Sequence, residues 1–135
     1  MTSHPTWMRR DIDAAPAACA GLLRGLDASL PALAAALHAA PARFAIVCGR
    51  GSSGHAGTFL RYLLGLRGGL IAAEASPSIL TVHGAAPAMS GALFVLLSQS
   101  GRSPDLVATA AAAREAGATT LAIVNDPASP AAEAC

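Results

Sequence analysis

The chain has 135 residues, 53% hydrophobic and 13% charged, enough to enclose one core and too few for two large domains. Its net charge of +1 gives no sign of a broad electrostatic surface for nucleic acid, and all nine basic residues are arginines, which removes lysine Schiff-base chemistry and the lysine of a Walker-type phosphate loop. Three separated cysteines, Cys19, Cys48 and Cys135, form no Cys-x-x-Cys pair and no metal pattern, so a reduced cytoplasmic protein with no metal and no cofactor is expected.

Residues 1–40 read as an N-terminal helical segment. Pro16 to His38 is rich in Ala and Leu, with Leu22, Leu23, Leu26, Leu30, Leu33 and Leu37 at helical spacing, and Gly25 and Pro31 predict a break or kink. No apolar run approaches about 20 residues free of Gly, Pro or charge, so neither secretion nor a membrane span is expected. Residues 41–135 then alternate between strand and helix signals. Strands are predicted at Arg43 to Cys48, Leu70 to Ala75, Ala92 to Leu97 and Thr119 to Val124. Between them come helices at Ser53 to Leu66 and Pro104 to Ala116, a short helical or turn segment at Pro77 to His83, and a last helix opening at Ser129-Pro130. Strands that are apolar along their length and alternate with helices imply an α/β three-layer sandwich around a parallel sheet. The final residues, Ala131 to Cys135, look like one helical turn without a cap, which predicts a domain truncated at its C-terminus.

Two turns carry the chemistry. Gly49-Arg50-Gly51-Ser52-Ser53-Gly54 follows the first strand, and Ser98-Gln99-Ser100-Gly101-Arg102-Ser103 follows the third. Each opens a helix, so backbone N–H groups, serine hydroxyls and a helix dipole point at one small volume where an anion is stabilised. Gly49, Gly51 and Gly54 also fit the dinucleotide fingerprint Gly-x-Gly-x-x-Gly, with Glu74 about 20 residues on at a strand end, where it would meet a ribose. In the second turn, Ser103-Pro104-Asp105 fits N-cap, N1 and N2 of a helix, which capping alone explains. Capping does not explain Ser98, Gln99 and Ser100, which lie at the carboxyl edge of the sheet. A strand order of 2-1-3-4 would make strands one and three neighbours and bring both turns onto one phosphate. His55 could approach that ligand or simply occupy a helix surface. His83 and Glu74 read as solvated or hydrogen-bonded, Asp105 as serving the helix dipole, and Cys48 as a small buried residue without a partner base.

The pairing of Cys48-Gly49-Arg50-Gly51-Ser52-Ser53 with Ser98-Gln99-Ser100-Gly101-Arg102-Ser103-Pro104-Asp105 resembles the sugar isomerase (SIS) domain, and Ser-Gln-Ser-Gly is its most specific mark. Met8 to Pro16 is similar to the start of a subgroup that lacks a glutaminase domain and acts on amino-sugar phosphates. The resemblance implies a parallel sheet of flavodoxin-like order, here missing its fifth strand, within residues 41–135, and a homodimer in the full-length protein. It implies sugar-phosphate binding by Ser52, Ser53, Ser98, Gln99, Ser100 and Ser103; Gly51, His55 and Arg102 are candidate neighbours of that ligand, and charge and hydropathy lead to no nucleic-acid or membrane partner being expected. Arg102 stands where nitrogen-transferring relatives commonly have Glu, and Ser103 where they commonly have Thr. The family's acid/base glutamate, ring-opening histidine and catalytic lysines lie in a second SIS domain and its tail, so catalytic residues are not assigned within this chain. The expected function is a sugar-phosphate-binding domain of a glucosamine-6-phosphate deaminase/isomerase or an isomerising aminotransferase. A non-catalytic sugar-phosphate sensor and a dinucleotide-binding oxidoreductase domain are the alternatives.

Overall fold

The computed structural model describes residues 6–135, and the chain divides into two compact units separated between Ala40 and Pro41. The first unit is one helix, α1 (Trp7–Ala39). It opens nine residues before Pro16, where the Ala- and Leu-rich run begins, because Thr6 caps it: the Thr6 hydroxyl accepts from the Arg9 N–H at 3.3 Å, and Arg9 pairs with Asp13 one turn on at 2.8 Å. The expected break is absent. α1 runs through Pro16, Gly25 and Pro31 as a single helix of 33 residues, long enough and rich enough in Ala and Leu to lose the two hydrogen bonds that its prolines cannot make. Leu22, Leu26, Leu30, Leu33 and Leu37 fall within about 80° of arc and form one apolar stripe, yet no residue of the helix is buried. By length and composition α1 is also a candidate membrane-crossing helix, with an 18-residue window of mean hydropathy 1.2. That window owes its hydropathy to its Ala and Leu content, and the interruptions by Gly, Pro and charge that argue against a membrane span lie within the same helix.

The second unit is a parallel sheet of four strands in the order β2-β1-β3-β4. Its elements are β1 (Phe44–Cys48), α2 (Ser52–Gly68), β2 (Ala72–Glu74), α3 (Pro77–Thr81), β3 (Ala92–Ser98), α4 (Pro104–Glu115), β4 (Thr119–Val124) and α5 (Pro130–Ala134). Every residue of β3 is buried, as its unbroken apolar run demands. Alternate side chains then separate the two faces. Cys48, Ala92, Phe94 and Leu96 join Leu106, Ala110 and Ala113 of α4 and Ala131 and Ala134 of α5 in one core. On the opposite face lies α2, which meets Val47 and Leu97 at Gly57. The result is three layers: α2, the sheet, and the layer that contains α4 and α5. β2 is shorter than its apolar run because it borders only β1, and Ile71 beside it stays exposed.

Close approach at one glycine sets the depth of α2 on the sheet. A Cβ on Gly57 would stand 3.0 Å from Val47 Cγ1, whereas one on Gly65 would meet only the Leu70 carbonyl oxygen at 3.9 Å. The same substitution therefore has opposite signs at the two positions. Gly57→Ala is expected to destabilise the fold by about 1–3 kcal/mol through overpacking, and Gly65→Ala to stabilise it by about 0.5–1 kcal/mol through helix propensity. Urea unfolding checks both; a shift of like sign would contradict the packing described.

Candidate functional site

Parallel pairing places Cys48 beside Leu96 in adjacent central strands, so the chain leaves β1 and β3 at the same edge of the sheet. From there it enters α2 on one face and α4 on the other. Neighbouring parallel strands whose helices depart to opposite faces leave a crevice at their carboxyl ends, where ligands bind in open α/β sheets.

The first turn is shaped by glycine. A Cβ at Gly49 would lie 3.0 Å from the Ser53 carbonyl oxygen and 3.2 Å from that of Leu97, so the turn packs bare backbone against both α2 and the end of β3. Gly51 is the N-cap of α2 at φ 55°, and no side chain caps the helix. Gly54 and His55 donate their N–H groups to the carbonyls of Arg50 and Gly51, both at 3.2 Å. The N–H groups of Ser52 and Ser53 precede the first helical acceptor. Ser52 is exposed and Ser53 half-buried. His55 is exposed beside them and lines a shallow groove with Gly49, Arg50, Gly51, Gly54, Thr58 and Glu74.

The second turn is held from below. Gly101, at φ 64°, donates its N–H to the Ser98 hydroxyl at 3.1 Å, and Arg102 N–H donates to the Ser100 hydroxyl at 3.3 Å. Each hydroxyl keeps its own proton for a further acceptor. Ser98 closes β3 and is buried, whereas Gln99 and Ser100 are exposed. Ser103 occupies the N-cap of α4 without making a side-chain cap hydrogen bond, so capping does not occupy its hydroxyl. Pro104 follows at N1, and the N–H groups of Asp105 and Leu106 complete the first turn.

An ion pair joins the two turns: Arg50 Nη1 lies 2.9 Å from Asp105 Oδ2. The residues singled out in sequence, Gly51, Ser52, Ser53 and His55 on one turn and Ser98, Gln99, Ser100, Arg102 and Ser103 on the other, thus share one edge of the sheet. Arg102, however, leans toward the loop after β4, where Asp126 Oδ2 accepts from its guanidinium at 2.8 Å. Glu74 faces Arg61 at 3.2 Å, so its carboxylate is engaged in an ion pair. His83 lies exposed in the turn after α3. Among the described residues, no three His, Cys, Asp or Glu side chains gather as a metal-binding group.

Sequence reasoning missed the loop between β4 and α5. Asp126 holds Arg102, Ala131 N–H donates to the Gly101 carbonyl at 3.0 Å, and the buried Ser129 sits so near Gly101 that a Cβ there would collide with its hydroxyl oxygen. The signal was positional: Asp126 follows β4 at the same carboxyl edge as the two turns.

The described residues match a known family. The model of the SIS domain matches residues 40–135, and the chain belongs to that family. It is similar to a candidate phosphosugar isomerase from Silicibacter pomeroyi DSS-3, with 39% identity and a TM-score of 0.87 over 96% of this chain and 40% of that one. A Vibrio vulnificus NanR protein complexed with ManNAc-6P is 25% identical with a TM-score of 0.65, over 80% of this chain and 40% of that one. Tagatose-6-phosphate ketose/aldose isomerase from Escherichia coli shares the fold at 22% identity and a TM-score of 0.79, over 95% of this chain and 37% of that one. The chain therefore spans about two fifths of the length of these proteins. No curated protein sequence matches it.

Cys48, at the root of the first turn, is fully buried, and burial together with the nearby Asp105 carboxylate pushes its thiol up from 9.0 to about 12. It is a packing residue. Its folded value lies above the unfolded one, so its contribution to stability is complete below pH 9 and is lost as pH rises toward about 12. In the folded protein at pH 8, iodoacetamide is expected to modify the exposed Cys19 and spare Cys48, as read by peptide mass spectrometry. Modification of Cys48 at a rate matching Cys19 would contradict its burial.

Proposed function

We propose that the domain binds the phosphate of a sugar phosphate between the two turns, within a longer enzyme of the amino-sugar isomerase/deaminase or isomerising aminotransferase type. The observation that carries this reading is the convergence of two uncapped helix starts on neighbouring strands, bridged by Arg50 and Asp105. A phosphomonoester concentrates nearly two negative charges on one group, and charge-assisted hydrogen bonds from short donors suit it. Ser52, Ser53, Ser100 and Ser103 supply hydroxyls, Ser98 shapes the second turn, and Gln99 supplies an amide. Gly51 lets the ligand approach backbone, and His55 borders the groove beside the first turn. The similarity to a protein complexed with ManNAc-6P supports a phosphorylated amino sugar as the ligand.

Gripping the phosphate fixes the sugar without converting it. Aldose–ketose isomerisation opens the ring and moves a proton between C1 and C2, which needs an acid and a base near those carbons. We place these groups in the remainder of a longer, homodimeric, cytoplasmic protein, in keeping with relatives of which this chain spans about two fifths. The dinucleotide alternative draws no support from Glu74, whose carboxylate is paired with Arg61.

Calorimetric titration with glucosamine-6-phosphate, fructose-6-phosphate and NAD tests the reading. Binding of a sugar phosphate and not of NAD is expected; tight NAD binding without sugar-phosphate binding would refute it. Ser100→Ala is expected to weaken the sugar phosphate by about 1–3 kcal/mol, the usual loss for a hydrogen bond to a charged group. An unchanged affinity would remove Ser100 from the site.

A further inference from the structure

We infer that Asp105 sets the anion affinity of this site by holding Arg50, whose guanidinium passes from that carboxylate to the bound phosphate. The inference rests on the proposal that the two turns form a phosphate site. Arg50 springs from the first turn, between Gly49 and Gly51, and reaches Asp105 in the first turn of α4 at 2.9 Å. To do so it spans the interval between the two turns. The partners are unequally anchored: the Arg50 side chain is 64% exposed and that of Asp105 only 22%. The arginine is the solvated, adjustable partner and the carboxylate the fixed one.

Arg50 also borders two grooves. One contains Ser78, Thr81 and Asp105, and the other His55, Thr58 and Glu74. Arg50 thus stands between the groove beside the first turn and the one beside Asp105. The other charges at this edge are already engaged, Arg102 with Asp126 and Glu74 with Arg61. Asp105 moreover sits at the positive end of the α4 dipole, where a phosphate would compete with it. A phosphate dianion offers the guanidinium about twice the charge of a carboxylate and a matching bidentate face. Asp105 is thus a positioning residue: it keeps Arg50 at the mouth of the site, and the cost of withdrawing the arginine from it lowers anion affinity.

A double-mutant cycle separates this role from a general charge effect. The proteins compared are the unaltered chain, Asp105→Asn, Arg50→Gln and the double variant, each titrated calorimetrically with glucosamine-6-phosphate and with inorganic phosphate. Asp105→Asn is expected to tighten binding about 3–10-fold and Arg50→Gln to weaken it about tenfold. With Arg50 already replaced, Asp105→Asn is expected to change affinity by less than about twofold, and Arg50→Lys, which keeps the charge and loses the bidentate face, to recover only part of the lost binding. Additive effects, or tighter binding by Asp105→Asn that persists fully without Arg50, would overturn the inference while leaving the phosphate site intact. Failure of the unaltered chain to bind either probe would overturn both.

Discussion

The site depends on one topological constraint: β1 and β3, separated by 43 residues of chain between Cys48 and Ala92, lie side by side in parallel. Each strand delivers a turn to the same edge, and the helices that follow leave on opposite faces. Two helix N-termini thereby stand at one edge of the sheet without any residue being placed there by a local motif alone. Parallel pairing of buried strands needs both faces covered, which the three layers provide. The same arrangement that buries Phe94, Val95 and Leu96 thus creates the edge at which the serines stand.

Within that frame, small residues permit the approach that larger ones would block. Gly49 brings the first turn onto the backbone of both α2 and β3, and Gly101 seats the second against Ser129. The β4–α5 loop supports the second turn through Asp126 and the Ala131 N–H. Charges are balanced locally: Arg50 with Asp105, Arg102 with Asp126 and Arg61 with Glu74. At the two helix starts the backbone N–H groups of Ser52, Ser53, Asp105 and Leu106 are held in place by the fold itself.

Much of this was legible in the sequence. β3 and β4 lie within one residue of their predicted ends because an unbroken apolar run bounded by turn residues has few alternatives. The two serine turns and their shared edge followed from strand-turn-helix order, and the order β2-β1-β3-β4 is the one in which they meet. The exact start of α1 was not legible, since Thr6 capping acts well ahead of Leu22, the first residue of the leucine stripe, and Pro16 masks the helix between them. Nor was the pairing of Arg50 with Asp105 or of Arg102 with Asp126. Ion pairs between residues 55 and 24 positions apart are set by the sheet and leave no periodic trace in the chain.

The most direct test of a single shared site is an amide NMR titration of the protein with glucosamine-6-phosphate. The account predicts that the N–H resonances of Ser52 and Ser53 on α2 and of Asp105 and Leu106 on α4 shift together and fit one dissociation constant. Shifts confined to one helix start, or two sets that fit different constants, would contradict it.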